Sequence, residues 1–169
     1  MGGLIQLISL PQLDNELPIR SQILSAPLTG LAIDIPFTKD VAALLAYHIY
    51  PKLTLWNELK ASQFSSDPAV LEEYTCDPLR HDQVSPGVYI GTLKALETLK
   101  TEVSKIRLPT LMQLAGKDSV VSTPAAEELF KHLESKSKKL IVYENSLHEI
   151  YNDVYREEAF QDVRDFLKS

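Results

Sequence analysis

Leu108-Pro109-Thr110-Leu111-Met112-Gln113-Leu114-Ala115-Gly116-Lys117-Asp118 sets the fold class. Leu108 to Ala115 is close to a continuous apolar run, which suits a strand covered on both faces. Gly116 then turns the chain. Thr123-Pro124 opens a helix, with Thr123 as the expected cap and Pro124 at the first helical position. Ala125, Ala126, Leu129, Phe130 and Leu133 give that helix a core face. Lys139 to Glu144 reads as a second strand. Strand, helix and strand in this order form a βαβ unit, and the fold class is α/β with a parallel sheet.

Outward from this unit the alternation continues. Residues 2–10 carry apolar side chains at 4, 5, 7, 8 and 10, a helical spacing that Pro11 stops. Ile19 to Leu28 reads as a strand leaving the sheet near Pro27. Residues 37–60 look helical, with an apolar patch of Val41, Ala42, Leu44, Leu45 and Ile49 and an interruption at Pro51. From Thr54 to Pro86 the pattern is irregular, with Asp67-Pro68 and Asp77-Pro78 as turn signals. A helical pattern resumes over 88–99. A last helix is expected over about 156–168, with Ala159, Phe160, Val163, Phe166 and Leu167 on one face.

Composition narrows the function classes. The 169 residues are 44% hydrophobic and 24% charged, with a net charge of −6, as expected of one globular domain with a real core. Lys136, Lys138 and Lys139 form the one short basic run, so there is no stripe of the kind nucleic acid requires. One cysteine, Cys76, excludes a disulfide framework and a cysteine metal cage, and fits a reducing, cytosolic setting. The apolar stretches are too short to span a bilayer, so no transmembrane segment is expected and any membrane association is peripheral.

Two residues carry chemistry. Asp118 follows an apolar strand, where open α/β sheets place their ligands. His148 follows the next strand, in Glu144-Asn145-Ser146-Leu147-His148-Glu149. Taken alone, Asp118 is a turn aspartate capping the next helix and His148 is a loop histidine. Taken together they are more informative. Adjacent parallel strands lie ~4.8 Å apart, so loops on one sheet edge can touch. A carboxylate that accepts from imidazole Nδ1–H leaves Nε2 free to take a proton from a hydroxyl. His148-Glu149-Ile150-Tyr151-Asn152 is not a zinc motif, because Asn152 stands where a second histidine is needed. No metal and no cofactor is expected. Glu149 and Arg156 are expected to pair and steady the histidine loop. His48, His81 and His132 receive no role.

The order Asp then His is that of α/β-hydrolases, whose nucleophile elbow is Gly-x-Ser-x-Gly. Met1-Gly2-Gly3-Leu4 resembles the end of that elbow as it reads in monoacylglycerol lipases and lysophospholipases. The resemblance continues through Ser25-Ala26-Pro27, Asp77-Pro78-Leu79, Leu108-Pro109-Thr110-Leu111, Gly116-Lys117-Asp118-Ser119-Val120-Val121, and His148-Glu149-Ile150-Tyr151-Asn152-Asp153 with Arg156. It covers nearly the whole chain in the right order.

The resemblance implies the C-terminal part of an α/β-hydrolase parallel sheet, about three strands, with a helical lid insert at about 30–87 inside a partial domain of residues 1–169. It implies a serine hydrolase acting on a lipid ester, with Asp118 as orienting acid, His148 as general base and the Met1 backbone nitrogen at the oxyanion position. The insert, with Phe37, Tyr47, Tyr50, Trp56, Phe64 and Tyr74, would shape an acyl-chain pocket. No serine of the chain stands on a strand–turn–helix elbow; Ser85, Ser119 and Ser146 are the ones weighed, and none is assigned as nucleophile. The expectation is a fragment that starts just after the nucleophile, is poorly stable and inactive alone, and exposes the edge of its first strand. An N-terminal part or a second chain would cover that edge. The alternative is a non-catalytic interaction module that keeps the later half of the fold.

Overall fold

The structure is a computed structural model that describes residues 1–13, 18–33, 35–50, 52–57 and 59–168. Pro51, expected to interrupt a helix, lies outside the described residues.

Strand β4, Thr110–Ala115, is buried along its whole length. It forms the middle of a parallel sheet, flanked by β1 (Gln22–Ser25) and β5 (Lys138–Tyr143) in the order β1-β4-β5. Ile23 stands beside Leu111 in register, and Met112 beside Leu140. A strand with neighbours on both sides and elements on both faces has no solvated face, which is why the run is continuously apolar. Its one long polar side chain, Gln113, is fully buried and fully used. Nε2 donates to the Tyr143 hydroxyl at 2.6 Å and to the Ala159 carbonyl at 2.9 Å, and Oε1 accepts from the Tyr151 hydroxyl.

Helix α1, Gly2–Ser9, buries Leu4 and Leu7 and ends in a 3-10 turn, Leu10–Gln12, that contains Pro11. A Cβ on Gly3 would lie 2.8 Å from Cβ of Pro27, so the glycine lets the helix press against the end of β1. There the backbone bends sharply: Ala26 has φ 39°, the left-handed region that L-residues avoid. Strand β1 is shorter than the expected Ile19 to Leu28 because this bend and Pro27 take the chain out of the ladder. Among the described residues β1 has one strand neighbour, β4.

Between β1 and the long helix α4 (Pro86–Glu102) the chain makes an excursion. It contains α2 (Phe37–Ile49), the two-residue strands β2 (Leu55–Trp56) and β3 (Gln83–Val84) paired antiparallel, and α3 (Pro68–Cys76). The helix expected over 37–60 therefore stops at Ile49. Its apolar patch does not pack inward: no residue of α2 is buried, and Phe37 and Ile49 are 78% and 80% exposed. The Tyr89 hydroxyl of α4 donates to Asp40 of α2.

Helix α5, Thr123–Lys131, is capped by Ser122, not Thr123; the Ser122 hydroxyl accepts from Ala125 N–H. Thr123 is instead the first helical residue, and its hydroxyl donates to the Ala115 carbonyl at 2.7 Å, tying the helix to the end of β4. Helix α6, Arg156–Lys168, follows β5 and a 3-10 turn at Ile150–Asn152, and buries Ala159. No described helix is long and apolar enough to cross a membrane.

Candidate functional site

The C-terminal ends of β4 and β5 are stitched together before either side chain is placed. Gly116 N–H donates to the Tyr143 carbonyl at 2.9 Å, and Lys117 N–H to the Ser146 carbonyl at 3.0 Å. A Cβ on Gly116 would lie 2.5 Å from the Glu144 carbonyl oxygen, so the two turns pass too closely for any other residue. This close approach sets Asp118 beside His148.

The Asp118 side chain is 1% exposed and divides its oxygens between two tasks. Oδ1 accepts from the N–H groups of Val120 and Val121, at 2.8 and 2.9 Å. Oδ2 lies 2.8 Å from His148 Nδ1. The turn thus aims the Asp118 carboxylate at the imidazole. An ionised carboxylate only accepts, so the proton of a neutral imidazole sits on Nδ1 and Nε2 carries the lone pair. Among the described residues Nε2 has no hydrogen-bond partner. The His148 side chain is 19% exposed, and the Phe64 ring stands edge-on to it with centroids 5.8 Å apart.

The histidine loop rests on a second carboxylate, one to which the sequence alone assigns no role. Asp153 is fully buried. Its Oδ2 accepts from Leu147 N–H at 2.8 Å and from the Ser146 hydroxyl at 3.2 Å. Its Oδ1 accepts from the N–H groups of Ser66 and Val154, both at 2.9 Å, and from the Ser66 hydroxyl. Burial pushes this carboxyl up, but the donors from Ser66, Leu147 and Val154 outweigh it and hold it below the ordinary carboxylate range.

Segment 63–67 completes the support. Glu149 N–H donates to the Phe64 carbonyl at 2.8 Å, the Ser65 hydroxyl to the Asn152 carbonyl at 2.8 Å, and Gln63 Nε2 to the Ser119 hydroxyl at 3.1 Å. Arg156 pairs with Asp67 at 2.7 Å, not with Glu149 as expected; Glu149 instead accepts from Asn152 Nδ2. Aspartate 153 had one sequence signal, its place in the His148–Asp153 stretch that resembles the family. Gln63 and Ser66 had none, because they meet the site only through the fold.

Each of the serines weighed as nucleophiles takes part in a hydrogen bond. Ser85 caps α4, accepting from Val88 N–H, and Ser146 is buried against Asp153. Ser119 accepts from Gln63. Met1 stands at the N-cap position of α1. Among the described residues no group of three or more His, Cys, Asp or Glu is arranged to hold a metal ion.

A family model described as serine aminopeptidase S33 (Hydrolase_4) matches residues 1–155. Phospholipase YtpA of Bacillus subtilis is 29% identical over 167 residues, which are 98% of this chain and 64% of the phospholipase. A monoacylglycerol lipase of Mycolicibacterium smegmatis is 23% identical over 151 residues, 88% of this chain and 53% of the lipase. Of solved structures, Paleococcus ferrophilus monoacylglycerol lipase superposes with a TM-score of 0.88 at 24% identity, over 98% of this chain and 64% of that one. A soluble variant of the Saccharomyces cerevisiae monoglyceride lipase superposes with a TM-score of 0.81 at 20% identity, over 98% and 58%. These structures share the fold. The chain spans 64% or less of the length of each of these four proteins.

Proposed function

The chain belongs to the serine aminopeptidase S33 family of α/β-hydrolases, and from that premise we propose that it supplies the acid and base of a serine hydrolase acting on carboxylic esters of lipids. The observation that carries the proposal is the 2.8 Å contact of Asp118 with His148 Nδ1. Asp118 holds the imidazole and stabilises the imidazolium. His148 Nε2 takes the proton from the attacking serine hydroxyl and returns it to the leaving alcohol. In this reading no serine of residues 1–169 is the nucleophile. It would belong to an elbow placed just before Met1, whose backbone N–H would face the oxyanion.

The ester preference is supported by relatives named as a phospholipase and a monoacylglycerol lipase. The apolar surface of the excursion supports it too: Phe37, Leu45, Ile49 and Trp56 are exposed there. We assign the stretch at about 30–87 as a lid that would line an acyl-chain pocket. The test is a substrate panel on the chain joined to an upstream elbow-bearing segment. Monoacylglycerol and lysophospholipid should be hydrolysed, and aminoacyl peptides should turn over far more slowly. Preference for the peptides would assign the site to an aminopeptidase. Fluorophosphonate labelling of residues 1–169 alone would overturn the assignment of the nucleophile.

A further inference from the structure

A general base works only if its ring is held in one orientation, and the fixing of His148 does not come from its own strand alone. The loop 144–149 leaves β5 with no helix of its own to brace it. Its two residues before the histidine end on Asp153, through the Ser146 hydroxyl and Leu147 N–H. The other oxygen of Asp153 ends on Ser66, which lies in the excursion between β1 and α4. The same excursion accepts the N–H of Glu149 at the Phe64 carbonyl, sets the Phe64 ring edge-on to the imidazole, and reaches Ser119 beside Asp118 through Gln63. Asp153 is therefore the buried junction where the histidine loop and the excursion meet.

We propose that Asp153 is a positioning residue for the Asp118–His148 pair, and that through Ser66 it makes the register of that pair depend on the excursion. The proposal rests on the reading of His148 as the general base. Asp153 itself touches no reacting atom. A fully buried carboxylate with five donors is a costly thing to place in a core unless every donor is aimed at it. Three of those donors are backbone N–H groups, of Ser66, Leu147 and Val154, so the carboxylate fixes main chain and not merely side chains. An asparagine of the same shape has one acceptor oxygen and one NH2 group. Whichever way it turns, it sets a donor against the Ser66 and Val154 amides or against the Leu147 amide.

The experiment is proton NMR on the chain of residues 1–169. It follows the imidazole Nδ1–H of His148, which is displaced downfield and exchanges slowly while it donates to a buried carboxylate. Loss of the signal in His148→Gln assigns it. In Asp153→Asn we expect exchange with water to be on the order of tenfold faster or more, with the signal moved upfield. Ser66→Ala, which removes only the hydroxyl donor, should give a smaller acceleration of about threefold, and Ser66→Thr should restore the slow exchange. Val103→Ala, a core truncation before the start of β4, should leave the signal where it is although it destabilises the fold. Unchanged exchange in a folded Asp153→Asn overturns the proposal. If Asp153→Asn does not fold, unchanged exchange in Ser66→Ala overturns it. Equal acceleration in Val103→Ala also overturns it, because the effect would then be global. The signal reports the hydrogen bond and not turnover, so failure here leaves the hydrolase reading standing, and failure of that reading would leave this coupling measurable.

Discussion

Arg156, the first residue of α6, reaches Asp67, the cap of α3, with Nη1 2.7 Å from Oδ2 across 89 positions of sequence. The pair closes the ring of contacts that joins the excursion to the segment following the catalytic histidine candidate. Its guanidinium holds the Asp67 carboxyl below the ordinary carboxylate range, with the Ala69 N–H adding to the effect. A carboxylate with a depressed folded pKa stabilises above its unfolded value, about 4, and loses that contribution as pH falls through the lower folded value. Arg156→Ala should therefore melt below the wild type at pH 7, and the gap should close in acid. Thermal melts at pH 7 and pH 2 check this. A gap of equal size at both pH values would contradict it.

Gly116→Ala should be among the most damaging single substitutions. The new Cβ would meet the carbonyl oxygen, Cα and carbonyl carbon of Glu144 at 2.5 to 2.7 Å, and backbone cannot swing aside as a side chain can. Overpacking against main chain costs about 3 kcal/mol. Urea unfolding measures it, and a loss under about 1 kcal/mol would show that the β4 and β5 turns are not held as described.

Gln113→Leu keeps the volume and removes the hydrogen bonds. The Tyr151 hydroxyl, the Ala159 carbonyl and one bond of the Tyr143 hydroxyl would be left behind in the core. Unsatisfied buried groups cost about 1–3 kcal/mol each, so a loss of about 3 kcal/mol is expected. Double mutation with Tyr151→Phe should recover part of it. Additive losses in that double mutant would contradict the network.

Tyr89→Phe tests the attachment of α2. Burial first, and then the Asp40 carboxylate, push the Tyr89 hydroxyl up to about 12. A folded pKa above the unfolded value of about 10 gives stability that is present below pH 10 and is lost as pH rises to about 12. The wild type should thus be more stable than Tyr89→Phe at neutral pH, with the difference shrinking between pH 10 and 12. Because α2 buries no residue, limited proteolysis should cut the variant first in that helix. Cleavage elsewhere with α2 intact would count against the tether.

The sequence carried the sheet and the pair because both rest on local signals. The apolar run of β4 and the placement of Ala159 in α6 reflect burial that each element must satisfy wherever it sits. The meeting of Asp118 and His148 followed from topology, since a βαβ unit brings consecutive strand ends to one edge. The excursion was legible as an insert, but its internal structure was not. A two-residue ladder such as Leu55–Trp56 with Gln83–Val84 is too short to show a period, and α2 has an apolar face with nothing buried behind it. Ser122 and Thr123 are both good caps, and only the backbone decides between them. Arg156 could reach several carboxylates, and sequence proximity favoured the wrong one, Glu149. Asp153 stands in the stretch that resembles the family, but nothing local marks it as buried. Its partner Ser66 lies 87 positions away, a distance that no pattern in sequence records.

If His148 is the base whose orientation Asp118 fixes, turnover by the elbow-extended chain depends on both side chains. His148→Ala should lower kcat on a monoacylglycerol by roughly 10⁴-fold or more, and Asp118→Asn by about 10⁴-fold through the wrong tautomer, with KM little changed in both. Full turnover by the folded His148→Ala variant would contradict the central claim.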